Sequence, residues 1–156
     1  MPSSIDQKRF WEEKILTWEQ DRYGDGKPSS LLEFFAHRAS RSIYYRSELT
    51  KQILSSHIQG KKILELGCGS GKLSENLIRA GAQSYTGIDI AEPAIEKAKQ
   101  IAMEKGISNV VKFEVNDFQY LGDYDVDIVF SLGLTDWLTD EEIERLFSHF
   151  RDVSFL

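Results

Sequence analysis

The sequence holds 156 residues, 41% of them hydrophobic and 28% charged, the make-up of one globular domain with a core of its own. No apolar run approaches the roughly 18 residues of a membrane span, and the only cysteine, Cys68, rules out an internal disulfide and suits a reducing cytoplasm. Residues 1–60 carry nine Lys/Arg against eight Asp/Glu (+1) and residues 61–156 carry ten against seventeen (−7), for a net −6. So acidic a body argues against broad binding to a nucleic-acid backbone, and is compatible with either a cationic ligand or mere solubility.

In chain order, Pro2-Ser3-Ser4-Ile5-Asp6 lacks the basic start and apolar block of a secretory signal. Residues 5 to 23 are predicted helical, because Phe10, Trp11, Ile15, Trp18 and Arg22 step by three and four between acidic residues. Gly24-Asp25-Gly26-Lys27-Pro28 stops that helix, and Ser30 with Glu33 forms a capping box for a short second one. A third helix is expected from Arg41 to Ile58, with Tyr45, Leu49, Ile53 and Leu54 on one stripe and Gly60 as its stop. Residues 1–60 thus read as a helical cap preceding a core at 61–156, the two making one structural domain.

Ile63, Leu64 and Leu66 form the short apolar run of a strand covered on both faces. Leu73, Leu77 and Ile78 mark a helix that begins near Lys72 and ends at Ala80-Gly81. A strand over 85–90 follows, then a helix with Pro93 in its first turn and Ala94, Ile95, Ala98, Ile101 and Ala102 on its apolar side. Val111–Val115 alternates as a third strand, and residues 127–131 are a fourth. Thr139 and Glu142 make a capping box for a helix carrying Ile143, Leu146, Phe147 and Phe150. Strands alternating with helices predict an α/β fold, a doubly wound and mostly parallel sheet of about four strands. Such sheets bind ligands at the carboxyl ends of their strands.

Those ends carry Gly67 to Gly71, Asp89, Asn116-Asp117 and Ser131-Leu132-Gly133. Three glycines in five residues, placed between a strand and a helix, suit close approach of a nucleotide-like ligand. A structural turn without a ligand is the plainer alternative. Asp89 follows Gly71 by eighteen residues, the register at which an acid reaches ribose hydroxyls. Taken alone, either Asp89 or Asp117 also reads as a turn or N-cap residue. A dinucleotide fingerprint needs its third glycine at position 72, which is Lys, and Glu65 would repel a pyrophosphate. A ligand with an ammonium and a sulfonium would welcome Glu65. No Walker-type phosphate loop is present.

In order along the chain, Glu65-Leu66-Gly67-Cys68-Gly69-Ser70-Gly71, Gly87-Ile88-Asp89, Asn116-Asp117-Phe118 and Asp127-Ile128-Val129-Phe130-Ser131 resemble the motifs of class I S-adenosylmethionine-dependent methyltransferases, over residues 61–150. The resemblance implies a Rossmann-like core, S-adenosylmethionine as cofactor and a small-molecule methyl acceptor. It implies that Gly67, Cys68, Gly69, Ser70 and Gly71 pack against the methionine part and ribose, with Glu65 supporting the loop and the amino group. Asp89 would bind the ribose hydroxyls and Ile90 would flank the adenine. Asn116 belongs to the same site, with Asp117 accepting from the adenine amino group and Phe118 beside it. Ser131, Leu132 and Gly133 would line the floor under the methyl donor, and Trp137 falls where the acceptor pocket is often shaped.

Methyl transfer by in-line displacement needs positioning and exclusion of water, and a base only where the acceptor must lose a proton. No catalytic residue is therefore assigned, and no metal ligands are expected. His37 and His57 read as surface or packing residues in the cap, and His149 lies away from the strand ends. Arg41, Tyr44, Tyr45 and Arg46 have ordinary helix-face roles or hold the cofactor carboxylate. Trp11 and Trp18 read as contacts between cap and body, with walls of the acceptor pocket as the sharper alternative.

Two departures from the family stand out. Ala91 replaces the Ser or Thr that commonly caps the helix after Asp89, at a cost of roughly 1 kcal/mol. The family's sheet has seven strands, but residues 150–156 stop where a fifth would be starting. Four strands alone would expose an apolar edge, so the chain is expected to be a fragment of a longer protein. The alternatives are a partner chain that completes the sheet, a homo-oligomer formed through that edge, or a shortened natural variant. The competing functional reading is a non-catalytic S-adenosylmethionine-binding or assembly module. Neither nucleic acid nor a membrane is expected as partner.

Overall fold

A computed structural model of the chain describes residues 7–15, 45, 48–54 and 56–155. Its centre is a parallel sheet in the order β3-β2-β1-β4-β5, built from β1 (Lys62–Leu66), β2 (Ser84–Asp89), β3 (Val111–Val115), β4 (Ile128–Ser131) and the two-residue β5 (Ser154–Phe155). β1 pairs on both sides, with β2 and β4, and lies in the middle of the sheet. That position explains its continuous apolar run, since Ile63, Leu64 and Leu66 are all buried.

Residues 7–15 are helical (α1), as are 48–54 (α2). After β1 come α3 (Ser74–Arg79), α4 (Glu92–Glu104) and α5 (Asp140–His149). Strand alternation divides the core. Ile63, Tyr85, Phe113, Ile128 and Phe130 share one face with α3 and α4, while Leu64, Leu66, Ile88 and Val129 share the other with Leu146 of α5 and Phe150, the residue that follows it. The α/β doubly wound architecture expected from the sequence is therefore present, with four full strands and the start of a fifth.

The α5 capping box is complete: Thr139 N–H donates to Glu142 Oε2 at 2.8 Å, and Glu142 N–H donates to Thr139 Oγ1 at 3.3 Å. Leu146 and Phe150 are buried, but Phe147 is half exposed. Two expectations need correction. The helix placed near Lys72 begins at Ser74, because residues 71–73 are held in turns, with both Ser74 N–H and Ser74 Oγ–H donating to the Gly71 carbonyl at 3.1 and 2.7 Å. The stripe Tyr45, Leu49, Ile53 faces outward, and only Leu54 of α2 is buried. The described part of that helix stops at 54, and Ile58, in the turn beyond, joins Leu54 in the main core. The break at 24–28, the helix over 30–35, Trp18, Arg22, His37, Arg41, Tyr44 and Arg46 lie outside the described residues.

Candidate functional site

A cavity of about 400 Å³ opens at the carboxyl ends of β1 to β4, within the size range of small-molecule sites. The sheet order puts it at the topological switch point, where the chain reverses its direction of travel from β3 across to β4.

The glycine turn after β1 forms one wall. Four of its amides are committed within the protein: Gly67 and Cys68 N–H both donate to the Ile88 carbonyl (2.8 and 3.0 Å), Gly69 N–H donates to Asp89 Oδ2 (2.8 Å), and Gly71 N–H donates to the Cys68 carbonyl (3.0 Å). The turn is therefore not the ring of open donors that a phosphate needs. Gly67 takes φ +73°, and a Cβ there would press on Leu134 at 3.3 Å. Gly71 takes φ +68°, and its Cβ would lie 2.5 Å from the Phe113 ring and 3.2 Å from Ala98. Its glycine is demanded by the close approach of β3 and α4 rather than by the cavity.

Carboxylates edge that wall. Asp89, at the end of β2, is 9% exposed and its two oxygens bind Gly69 N–H and Ala91 N–H, the latter at 2.9 Å. Asp117 caps the 3₁₀ turn Phe118–Tyr120, its Oδ1 accepting from Gln119 N–H at 3.0 Å, while Asn116 Oδ1 accepts from Asp117 N–H at 2.9 Å. Glu65 is 4% exposed in the centre of the sheet, and Tyr85 Oη–H donates to its Oε2 at 2.5 Å. Burial, then the Glu65 charge beside it, push the Tyr85 hydroxyl well above its ordinary range. Among the described residues the wall holds four carboxylates (Glu65, Asp89, Asp117, Asp136) against one ammonium, Lys72.

The roof is aromatic. Trp11 of α1 meets Trp137, in the 3₁₀ turn Thr135–Trp137, edge to face with ring centres 5.0 Å apart, and Phe10 lies 6.1 Å from Trp137. Below them Ile15 packs on the buried Ala91 and Ala94 at the start of α4. This accounts for Ala91: the N-cap position carries no side-chain bond because it is covered by α1.

Of the fourteen residues singled out in the sequence, the cavity is lined by eleven: Glu65, Gly67, Cys68, Gly69, Asp89, Ile90, Asn116, Asp117, Phe118, Leu132 and Gly133. Ser70, Gly71 and Ser131 are not in its wall. Ser70 is 2% exposed, Gly71 faces Phe113, and Ser131 pairs with Leu66 and so shares the face turned to α5. The structure adds Lys72, Leu134 and Asp136 to the wall, together with Gln7 from α1, and it places there Trp11 and Trp137, both offered in the sequence for the acceptor pocket. Lys72 and Asp136 gave no signal beyond lying near glycines. His57 is exposed, its Nδ1 2.8 Å from Ser56 Oγ, and His149 Nε2 lies 3.1 Å from the Gly122 carbonyl; neither lines the cavity.

A doubly wound parallel sheet with a ligand-sized, acid-edged cavity at its switch point defines a Rossmann-like cofactor-binding domain. A family model described as "Methyltransferase domain" matches residues 63–154, and the chain belongs to that family, with the class I S-adenosylmethionine-dependent fold. Among curated relatives, the chain is 37% identical over 78 residues to a ubiquinone biosynthesis O-methyltransferase of Bordetella avium, covering 48% of this chain and 32% of that one. It is 36% identical over 108 residues to the protein of the same name from Actinobacillus pleuropneumoniae, covering 68% and 41%. The chain thus spans well under half the length of these relatives. The crystal structure of magnesium protoporphyrin IX methyltransferase from Synechocystis PCC 6803 with bound SAM superposes with a TM-score of 0.78 at 24% identity, covering 99% of this chain and 74% of that one. That likeness shows the fold.

Proposed function

We propose that the chain binds S-adenosylmethionine and directs its methyl group to a small-molecule acceptor by in-line displacement. The observation that carries this reading is the sign of the cavity. Among the described residues of the wall, four carboxylates face one ammonium, around a turn of which four amides are already bonded, an arrangement that favours a cationic ligand and penalises a pyrophosphate. The names of the relatives point the same way.

The residues fit the cofactor in detail. The Asp89 oxygens accept from Gly69 N–H and Ala91 N–H, and the carboxylate takes the ribose hydroxyls while still holding the turn. Glu65 faces the amino group and the sulfur end, with Gly67, Cys68 and Gly69 against the methionine part. Ile90 and Phe118 sandwich the adenine, and Asp117 with Asn116 meets its polar edge. Leu132 and Gly133 form the floor. When bound, the cofactor supplies a methyl group on a positively charged sulfur. The chain's own residues orient that end, and the aromatic roof of Phe10, Trp11 and Trp137 keeps water out and offers the acceptor an apolar surface.

The acceptor is a small molecule rather than a nucleic acid, in keeping with the −7 charge of residues 61–156. The single thiol fits action in the cytoplasm, and among the described residues no helix is long and apolar enough to cross a membrane. Self-association through the sheet edge is part of the proposal; among the described residues β5 pairs with Ile128 and Val129 of β4 and with no further strand. Incubation with methyl-labelled S-adenosylmethionine and a panel of phenols, amines and carboxylates tests the reading, which expects label on at least one acceptor. Binding without transfer to any of them favours the non-catalytic module, and absence of binding overturns both.

A further inference from the structure

Glu65 is an anomaly of the core. Parallel pairing puts Ile63, Glu65, Tyr85 and Gly87 on the same face as Phe113, Ile128 and Phe130, so a carboxylate stands on the apolar side that packs against α3 and α4. An unbonded carboxylate there would be strongly disfavoured. Gly87, directly across from Glu65, lets Cys68 and Phe113 close in on the pair: a Cβ at 87 would lie 2.8 Å from Cys68 Sγ and 2.9 Å from the Phe113 ring. Tyr85, one pleat earlier on β2, is 1% exposed, and its hydroxyl reaches diagonally to Glu65 Oε2 at 2.5 Å, within the range of a charge-assisted hydroxyl–carboxylate bond. The Tyr85 ring is itself fixed against Phe113, with centres 5.7 Å apart.

We propose that Tyr85 is a positioning residue that holds the Glu65 carboxylate at the cavity wall for the cationic end of the cofactor. The proposal rests on the reading of the cavity as an S-adenosylmethionine site. Tyr85 touches nothing in the cavity itself; it acts through Glu65. The titratable groups around the pair are Cys68 in the turn and Asp89 at the end of β2, with Lys72, Asp117 and Asp136 elsewhere in the wall.

The test is Tyr85→Phe, read in two ways on the whole chain. Without ligand, Glu65 in the variant lacks the Tyr85 hydroxyl among its partners, which disfavours its charged form in the folded protein and so raises its carboxyl relative to wild type. A carboxyl raised in this way contributes stability at low pH that is lost as the pH rises through its folded value. The variant's melting temperature should therefore fall further below wild type at about pH 8 than at about pH 5. A deficit independent of pH overturns the coupling, whatever the cavity binds. With S-adenosylmethionine or S-adenosylhomocysteine in titration calorimetry, wild-type affinity should change little between those pH values. The variant should lose affinity toward acid, approaching tenfold per pH unit, and recover toward wild type at about pH 8. A uniform loss at all pH values marks a merely structural residue. Glu65→Gln removes the titration, and adding Tyr85→Phe to it should then cause no further pH-dependent loss. Wild-type protein that binds neither ligand defeats the cofactor reading, while the unliganded melts still decide whether Tyr85 and Glu65 act as a pair.

Discussion

Asp89 Oδ2 accepts the Gly69 N–H at 2.8 Å, so the acid at the end of β2 holds the glycine turn at the end of β1. The same carboxylate faces the cavity and, through Oδ1, the first residues before α4. One buried side chain thus joins loop shape, helix start and ligand wall.

Asp89→Asn should consequently damage two properties together. The amide group replaces one acceptor oxygen by a donor that meets a backbone N–H. A loss of about 1–3 kcal/mol in denaturant unfolding is expected, with S-adenosylmethionine affinity falling at least about tenfold, or about 1.4 kcal/mol. Unchanged affinity by calorimetry would remove Asp89 from the ribose.

Gly71 and Gly60 separate two costs. Both lie at positive φ, +68° and +70°, but a Cβ at Gly60 meets nothing within 4 Å while one at Gly71 strikes Phe113. Gly60→Ala should cost about 1–2 kcal/mol for the left-handed backbone alone. Gly71→Ala adds about 1–3 kcal/mol of overpacking. Equal midpoints in urea would show that β3 and α4 can give way.

Ala91 looks in the sequence like a missing cap, and the usual repair would be Ser. The structure argues otherwise, because Ala91 is fully buried with Ile15 and Ala94. Ala91→Ser places a hydroxyl in that contact, offsetting the roughly 1 kcal/mol a cap contributes. No gain in melting temperature is expected; an increase of several degrees would show that the contact with α1 is loose.

Acid should weaken the fold in a traceable way. Asp127 accepts the Lys62 N–H at 2.8 Å, and this bond, helped by Lys61, holds its carboxyl below the usual range. Lys105 and Arg79 do the same for Glu75. At Glu114 burial pushes the carboxyl up, but bonds from Lys112 and Tyr124 outweigh it. A carboxyl lowered in the folded state contributes stability above its unfolded value near 4, and that contribution is lost as the pH falls through the folded one. Asp127→Asn should flatten the decline of melting temperature between about pH 5 and about pH 3. An identical slope would mean that the β1–β4 tie at Lys62 carries no weight.

How much of this was legible in the sequence depended on how local the signal was. The Thr139–Glu142 box, the apolar run of β1 and the order of motifs along four strands each express one nearby constraint, and all have counterparts in the fold. Glycine spacing did not reveal that Gly71 answers to Phe113, more than forty residues away in the chain. Nor did it reveal that Ser131 falls on the α5 face, which strand register decides. The Tyr45, Leu49, Ile53 stripe has helical periodicity yet is exposed, since periodicity names a face without naming what covers it. Tyr85 carries no signal of its own in the sequence beyond starting a strand, because its partner Glu65 is diagonal to it on another strand.

Selection of a cation by the cavity can be measured by titration calorimetry with S-adenosylmethionine and NAD under identical conditions. Saturable binding of S-adenosylmethionine at least about tenfold tighter than NAD is expected, a gap of about 1.4 kcal/mol or more. NAD binding as tightly, or no heat with S-adenosylmethionine, would contradict it.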